Sequence, residues 1–290
     1  MPDDDEADWD DELNLILACA RDFSGVDFSS YRPSTMKRRT SLRIGMAQLP
    51  TARSYLEKIQ NDPDEMRALV DALLIKTTWM YREPRTFELL RSRALPELFA
   101  QRAQEGARSI SAWVPACSSG EEAYTLAMCL DEARSRTGLE FQVIASDVDD
   151  GALAKVEAAH YADASFESLP PDFTKRYLVP VSSAPGSGAK VSDEIRSRVV
   201  VAHHDALRSD RLAPREAGVA SFDVISCRNL MVYLKPHAQE QLMTRLQKTC
   251  MPGSLVVIGD SESVRTASGA QGESPALVPV EPKTPVFRVE

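Results

Sequence analysis

Residues 113–128 read WVPACSSGEEAYTLAM: an apolar run, a turn of small residues, and the start of a helix. This is the grammar of a nucleotide-binding unit. Its turn ordinarily uses glycines, so that backbone N–H groups can approach a phosphate. Here the turn has a single glycine, Gly120, followed at once by Glu121 and Glu122. Two carboxylates repel a pyrophosphate. A helix start favours negative charge by roughly 0.3–1 kcal/mol, which accounts for one acid but not for the missing glycines. The stretch therefore asks for a ligand that suits a nucleotide-type turn and also suits negative charge.

On both sides of this stretch, strands and helices alternate. A helix over 85–104 leads to a strand at 110–115, a helix at 121–136, a strand at 141–147 and a helix at 151–159. Further strands are expected at 198–206, 222–229 and 252–262, the last entered through a Pro-Gly turn. A helix is expected at 237–250, and two short strands lie within 275–280 and 284–289. Such βαβ alternation implies a mostly parallel sheet. Residues 170–197 interrupt it and read as an inserted β hairpin with a flexible tip, SSAPGSGA. Residues 1–75 have a different grammar. The acidic residues 1–8 are expected to be disordered. Helices follow at 10–23, from Ser34 or Thr35 to Arg43 with Gly45 as the stop, at 51–61, and from Asp62-Pro63 through Leu74. The expected architecture is an all-α domain over 1–75, then an α/β domain over 76–290 with a small inserted β segment.

Composition narrows the class. Hydrophobic residues make up 43% and charged residues 27% of the 290, the ordinary balance of a globular chain. No apolar run approaches the roughly 20 residues of a membrane span, and the acidic start lacks the basic region of a signal peptide. A cytoplasmic monomer without membrane insertion is expected. The five cysteines and four histidines show no metal-ligand spacing, so free thiols and no metal are expected. A net charge of −9 argues against nucleic acid. The charge is unevenly spread: residues 1–12 hold eight acids and no base, whereas residues 31–58 hold seven Lys or Arg and one Glu.

In open parallel sheets the ligand sits beyond the C-terminal strand ends. Those ends carry Ala116–Glu122, Asp147, Asp205 and Arg228-Asn229. Asp147 lies near the position of a ribose-binding acid; its alternative role is a helix cap, for which Asp149 or Asp150 is better placed. A cationic nucleoside without phosphates reconciles the acidic turn with the nucleotide grammar. S-adenosylmethionine has that chemistry, a sulfonium and an ammonium group beside an adenosine, and a carboxylate can receive the ammonium.

Four blocks in this order, WVPACSSGEEAYTLAM, ASDVDDGAL, FDVISCRNLMVYL and PGSLVVIGDSE, resemble the chemotaxis protein methyltransferases of the CheR type. TTWMYREPRTFELL (77–90) is similar to the family's Thr-x-Phe-Phe-Arg segment, and YRPSTMKRRTSLRI to its basic N-terminal helix. The resemblance spans about residues 20–290. It implies a Rossmann-like methyltransferase domain that uses S-adenosylmethionine, with S-adenosylhomocysteine as product, to methylate glutamates on the cytoplasmic helices of chemoreceptors. Residue by residue it implies cofactor contacts at Lys76, Thr78, Arg82, Ala116, Glu122, Asp147, Asp205, Ala206, Cys227, Arg228 and Asn229. Arg82 and Tyr233 would serve the reaction itself. The sequence departs from the family at Lys76 (often Asn), at Trp79-Met80-Tyr81 (more usually small-Phe-Phe) and at Asp205 (usually Asn). Lys76 also reads as plain linker in contact with solvent.

A glutamate acceptor has a reference pKa of about 4.3 and is already ionised at neutral pH. No general base is required, and His203 and His204 read as structural. The basic residues Arg32, Lys37, Arg38, Arg39 and Arg43 are candidates for docking anionic receptor helices; their alternative is a solvated helix face. Two further functions compete: a non-catalytic cofactor-binding scaffold, and a methyltransferase with another acceptor.

Overall fold

The computed structural model describes residues 2–182, 184, 186–264 and 275–290. By their contacts, residues 1–75 with 233–238 form one unit, and residues 76–232 with 239–290 a second.

The first unit is helical: α1 (Pro2–Ser24), a 3-10 turn (Phe28–Ser30), α2 (Pro33–Met46), α3 (Ala52–Asn61) and α4 (Pro63–Leu73). Leu13, Ile16 and Ala20 of α1, Tyr55 and Ile59 of α3, and Met66, Leu69 and Leu73 of α4 are buried, as their helical spacing requires. Thr51 caps α3, accepting the Ser54 amide at 3.1 Å, and Asp62 caps α4, accepting the amides of Asp64 and Glu65 at 3.1 and 3.0 Å. Two expectations need correction. The acidic start is helical from Pro2, not disordered; a proline is well suited to open a helix. Helix α2 starts at Pro33 without a side-chain cap and runs through Gly45. Proline suits a first helical position, and a helix tolerates a glycine at about 1 kcal/mol. Residues 233–238 join this unit through main-chain bonds: Arg32 donates to the Tyr233 carbonyl at 2.8 Å, and Lys235 to the Ser30 carbonyl at 2.9 Å.

The second unit opens with α5 (Pro84–Leu89), one π turn (Leu90–Ala94) and α6 (Leu95–Gln104). Then come β1 (Ser109–Pro115), α7 (Glu121–Arg134), β2 (Glu140–Asp147), α8 (Asp150–Ala158) and β3 (His160–Tyr161). They are followed by α9 (Pro171–Tyr177), β4 (Leu178–Pro180), β5 (Ala189–Val191), α10 (Asp193–Arg196), β6 (Val199–His203) and β7 (Phe222–Ser226). The chain closes with α11 (Pro236–Gln247), β8 (Cys250–Val257), β9 (Leu277–Pro279) and β10 (Val286–Val289).

Seven strands form one sheet in the order β6-β2-β1-β7-β8-β10-β9. The first five are mutually parallel, and β10 runs antiparallel to β8 and β9. Strand β8 begins before Pro252-Gly253, so the expected turn there is an irregularity inside the strand: a step of two residues in β7, Phe222 to Val224, matches a step of five in β8, Cys250 to Leu255. The insert holds more than a hairpin. β4 and β5 pair antiparallel as expected, but β3 adds a third strand, and α9 precedes them. Proline suits a first helical position, and Pro171 opens α9 where a hairpin is expected. Of the expected flexible tip, residues 183 and 185 lie outside the described residues.

The sheet's core is largely apolar, and Arg102 and Asp223 form a charged pair buried against it. Arg102 of α6 donates through Nε to Asp223 Oδ1 at 2.7 Å, and Asp223 Oδ2 accepts the Ser111 amide at 2.8 Å. Both side chains are under 10% exposed. Removing one partner of such a pair leaves the other charge buried, at a cost of about 3–5 kcal/mol. Asp223→Ala should therefore lower the stability of this unit by about 3 kcal/mol in urea denaturation.

Candidate functional site

The C-terminal ends of β1, β2 and β7 meet the N-terminus of α7. After β1 the chain passes through three left-handed residues, Ala116 (φ +52°), Ser118 (φ +51°) and Gly120 (φ +96°). Only the last must be glycine: a Cβ there would lie 2.9 Å from Val156 Cγ2 and 3.0 Å from the Tyr161 hydroxyl. Packing against α8, not room for a phosphate, explains the single glycine. The turn is tied to β2 by main-chain and carboxylate bonds. Cys117 donates to the Ser146 carbonyl at 2.9 Å, and the Ser118 amide to Asp147 Oδ2 at 2.8 Å. Asp147 Oδ1 accepts the amides of Val148 and Asp149 at 2.8 and 3.1 Å. Asp149, not Asp147, caps α8, accepting the Gly151 amide at 2.9 Å.

The two acids of the turn diverge. Glu121 is buried and accepts the Ser119 hydroxyl at 2.7 Å. Glu122 reaches the end of β7, where its Oε1 accepts the Ser226 hydroxyl at 2.7 Å and its Oε2 lies 3.7 Å from Arg228 Nη1. Burial pushes the carboxyls of Glu121, Glu122 and Asp147 above the ordinary range, against the hydrogen bonds that each accepts.

Arg228 is the cation set among them, and its side chain has 0% exposure. Its Nη2 donates to Glu83 Oε2 at 3.0 Å and to the Arg82 carbonyl, and its guanidinium lies 4.6 Å over the Phe87 ring. Glu83 also accepts from Asn229 Nδ2 at 2.9 Å and from the Asp260 amide at 3.0 Å. Burial alone would raise its carboxyl; these donors and the Arg228 charge outweigh that and hold it below the usual range. Glu262 does similar work on the main chain, accepting the amides of Asn229, Val232 and Gly259 at 3.0, 3.2 and 2.7 Å. A Cβ on Gly259 would lie 2.7 Å from Asn229 Nδ2, so only glycine admits the Asn229 loop.

The sequence-derived residues fall into groups. Arg82, Glu122, Arg228 and Asn229 are linked through Arg228 and Glu83. Lys76, Ala116 and Asp147 gather at the β1 and β2 ends: Lys76 Nζ is 2.5 Å from Asp149 Oδ2, and its carbonyl accepts the Ser118 hydroxyl at 3.3 Å. Lys76 is thus held by Asp149, not left to solvent as plain linker. Thr78 is half-buried in the same linker. The Arg82 guanidinium donates to the Thr77 carbonyl at 2.8 Å and lies 4.8 Å over the Trp79 ring. Asp205 spends Oδ1 on the amides of Leu207 and Arg208, and the carbonyl of buried Ala206 accepts Arg245 Nε at 2.9 Å. Cys227 is buried, and its thiol is pushed well up. Tyr233 is half-buried and groups with the helical unit. Sequence reasoning missed Glu83 and Glu262. Both lie inside motifs it had quoted, but their importance rests on partners far away in the chain.

Among the docking candidates, four side chains have internal partners. Arg43 pairs with Glu65 at 2.6 Å, Arg39 donates to the Ala72 carbonyl, Arg32 to the Leu234 carbonyl, and Lys37 lies 3.3 Å from Asp10. Arg38 is exposed. Among the described residues no group of three or more His, Cys, Asp or Glu could hold a metal ion, and no helix is long and apolar enough to cross a membrane.

This site fits a cationic nucleoside. Asp147 Oδ2 keeps a lone pair for a hydroxyl, and the raised carboxyls of the turn gain from a nearby positive charge, which a phosphate cannot supply. Comparison with known proteins agrees. Residues 76–276 match the family model "CheR methyltransferase, SAM binding domain", and residues 11–74 match "CheR methyltransferase, all-alpha domain". Chemotaxis protein methyltransferase 1 of Pseudomonas aeruginosa is 27% identical over 83% of this chain and 85% of its own length. A probable biofilm formation methyltransferase, WspC, of Pseudomonas putida is 30% identical over 83% of this chain and 54% of its own. An uncharacterized 104.1 kDa protein of Rhodobacter capsulatus is 32% identical over 82% of this chain, which spans 24% of that relative's length.

Glu122→Gln keeps an oxygen to accept the Ser226 hydroxyl but removes the charge. Calorimetry should show about tenfold weaker binding of S-adenosylhomocysteine, with thermal stability changed by no more than about 1 kcal/mol. A parallel loss of stability and affinity would make Glu122 only a structural counter-charge for Arg228.

Proposed function

We propose that this chain, which belongs to the CheR methyltransferase family and binds S-adenosylmethionine, methylates glutamate side chains on the cytoplasmic helices of chemoreceptors. The observation that carries the reading is the acidic strand-tip cluster beside Arg82, a cation whose partners among the described residues are a neutral carbonyl and an aromatic face. Such a guanidinium is placed to pair with an incoming carboxylate.

When bound, S-adenosylmethionine supplies an electrophilic methyl on a sulfonium, and the electrons of the breaking S–C bond stay with the thioether. The chain's residues arrange the partners. Asp147 would hold a ribose hydroxyl and Glu122 the ammonium group. The loop of Asp205 and Ala206 would meet the adenine. Arg82 orients the acceptor carboxylate. The acceptor is already ionised, so no residue removes a proton, and catalysis rests on alignment and exclusion of water. Well-oriented geometry can lower a barrier by roughly 7–11 kcal/mol. On the helical unit, Arg38 is the one of the five docking candidates placed to meet an anionic helix, because the other four have partners within the unit.

The test is transfer of labelled methyl groups to a receptor cytoplasmic fragment, read as base-labile ester. Replacing the acceptor glutamates by glutamine should abolish the label. Arg82→Ala should lower turnover at least 100-fold, about 2.7 kcal/mol of transition-state stabilisation; full activity would remove Arg82 from the reaction. Arg38→Glu should raise KM for the fragment about tenfold at low salt, and high salt should erase the difference. Labelling of a small molecule instead of the receptor would favour a different acceptor.

A further inference from the structure

Arg82 stands between two residues in the left-handed region, Tyr81 at φ +59° and Glu83 at φ +60°. Neither is glycine, and such conformations persist only where the surroundings over-determine them. The Tyr81 amide donates to Thr125 Oγ1 at 3.0 Å, and its ring is buried beside Phe87 and Phe173. Glu83 is anchored by its carboxylate, which accepts from Arg228, Asn229 and the Asp260 amide. These donors come from the loops after β7 and β8, about 145 to 177 residues further along the chain. Arg228 also donates to the carbonyl of Arg82 itself.

We propose that Glu83 is a positioning residue for Arg82: by gripping three donors from two strand-end loops, it holds the linker in a strained turn and fixes the direction in which the Arg82 side chain leaves the backbone. This rests on the reading of Arg82 as the group that orients the acceptor. In this reading Glu83, whose carboxylate is engaged by Arg228, Asn229 and the Asp260 amide, acts through its neighbour. Glutamate suits the task because one carboxylate must accept three bonds and also balance a guanidinium sealed from water. Glutamine at this position donates as well as accepts, and it carries no charge to set against Arg228. Aspartate keeps the charge but is one methylene too short to reach all three donors.

A double-mutant cycle in the methyl-transfer assay tests this, with Arg82→Ala, Glu83→Gln and the pair. Glu83→Gln alone should lower kcat at least 30-fold, with affinity for S-adenosylhomocysteine within threefold of wild type. In the Arg82→Ala background it should lower kcat less than threefold, because the residue it positions is gone. Equal factors in both backgrounds, or an unchanged kcat, would overturn the proposal. Glu83→Asp keeps the counter-charge of Arg228 and provides a folded second variant with the same expected kcat loss. Its crystal structure should show Arg82 Cα displaced by about 1 Å or more and residue 83 relaxed to negative φ; an unmoved Arg82 overturns the proposal even if no receptor is labelled. A wild-type chain that labels no receptor, or Arg82→Ala at full rate, would instead defeat the functional reading.

Discussion

A guanidinium with no exposure to water must be surrounded by groups that replace its hydration, at a desolvation penalty of several kcal/mol. Arg228 meets that demand by drawing together three distant parts of the chain: the linker at Arg82 and Glu83, the first turn of α7 at Glu122, and its own loop after β7. The face of Phe87 covers one side of the ion. The arrangement is incomplete, since Nε and Nη1 have no hydrogen-bond partner among the described residues. Those two donors are left for an acceptor, whereas the carboxyls of Glu121, Glu122 and Asp147 are raised by their own burial. Carboxyls raised in this way gain from a ligand that brings positive charge, which suits a nucleotide-type turn that carries two acids.

Strain and charge are coupled in the same place. Tyr81, Glu83, Ala116, Ser118 and Asn229 all adopt positive φ without being glycine. All five lie in segments that lead into or out of the strand-end cluster. Tyr81, Glu83, Ser118 and Asn229 are held by bonds to other segments, so the backbone distortions and the cross-chain hydrogen bonds sustain one another. That mutual support holds the strand-end cluster in one geometry, which catalysis by alignment would require.

The helical unit spends its charges differently. Arg43 forms an ion pair with Glu65, which also accepts the Tyr55 hydroxyl at 2.8 Å, while Arg39 and Arg32 satisfy carbonyls at helix and loop ends. A basic run that reads as one docking surface in sequence is therefore mostly internal scaffolding. Seven cations in 28 residues describe composition; which of them face outward depends on the partners that packing brings alongside.

The alternation of apolar runs and helical periods was enough to place the parallel sheet, the acidic turn at α7 and Asp147 at the end of β2, because each of these signals is local and repeats at the period of its element. It was also enough to propose a phosphate-free cationic nucleoside, since Gly120 and its two following acids sit side by side in the chain. It did not reveal the helical start from Pro2, the third strand of the insert, or the helix after Pro170, where short elements and prolines carry opposite local meanings. Glu83 and Glu262 were invisible as organisers for another reason. Their value lies in donors brought to them by the sheet's strand order, 33 residues away for Glu262 and up to 177 for Glu83. Periodicity and residue type are properties of neighbours along the chain and can be read there; a carboxylate's partners are properties of neighbours in space, and only folding decides them.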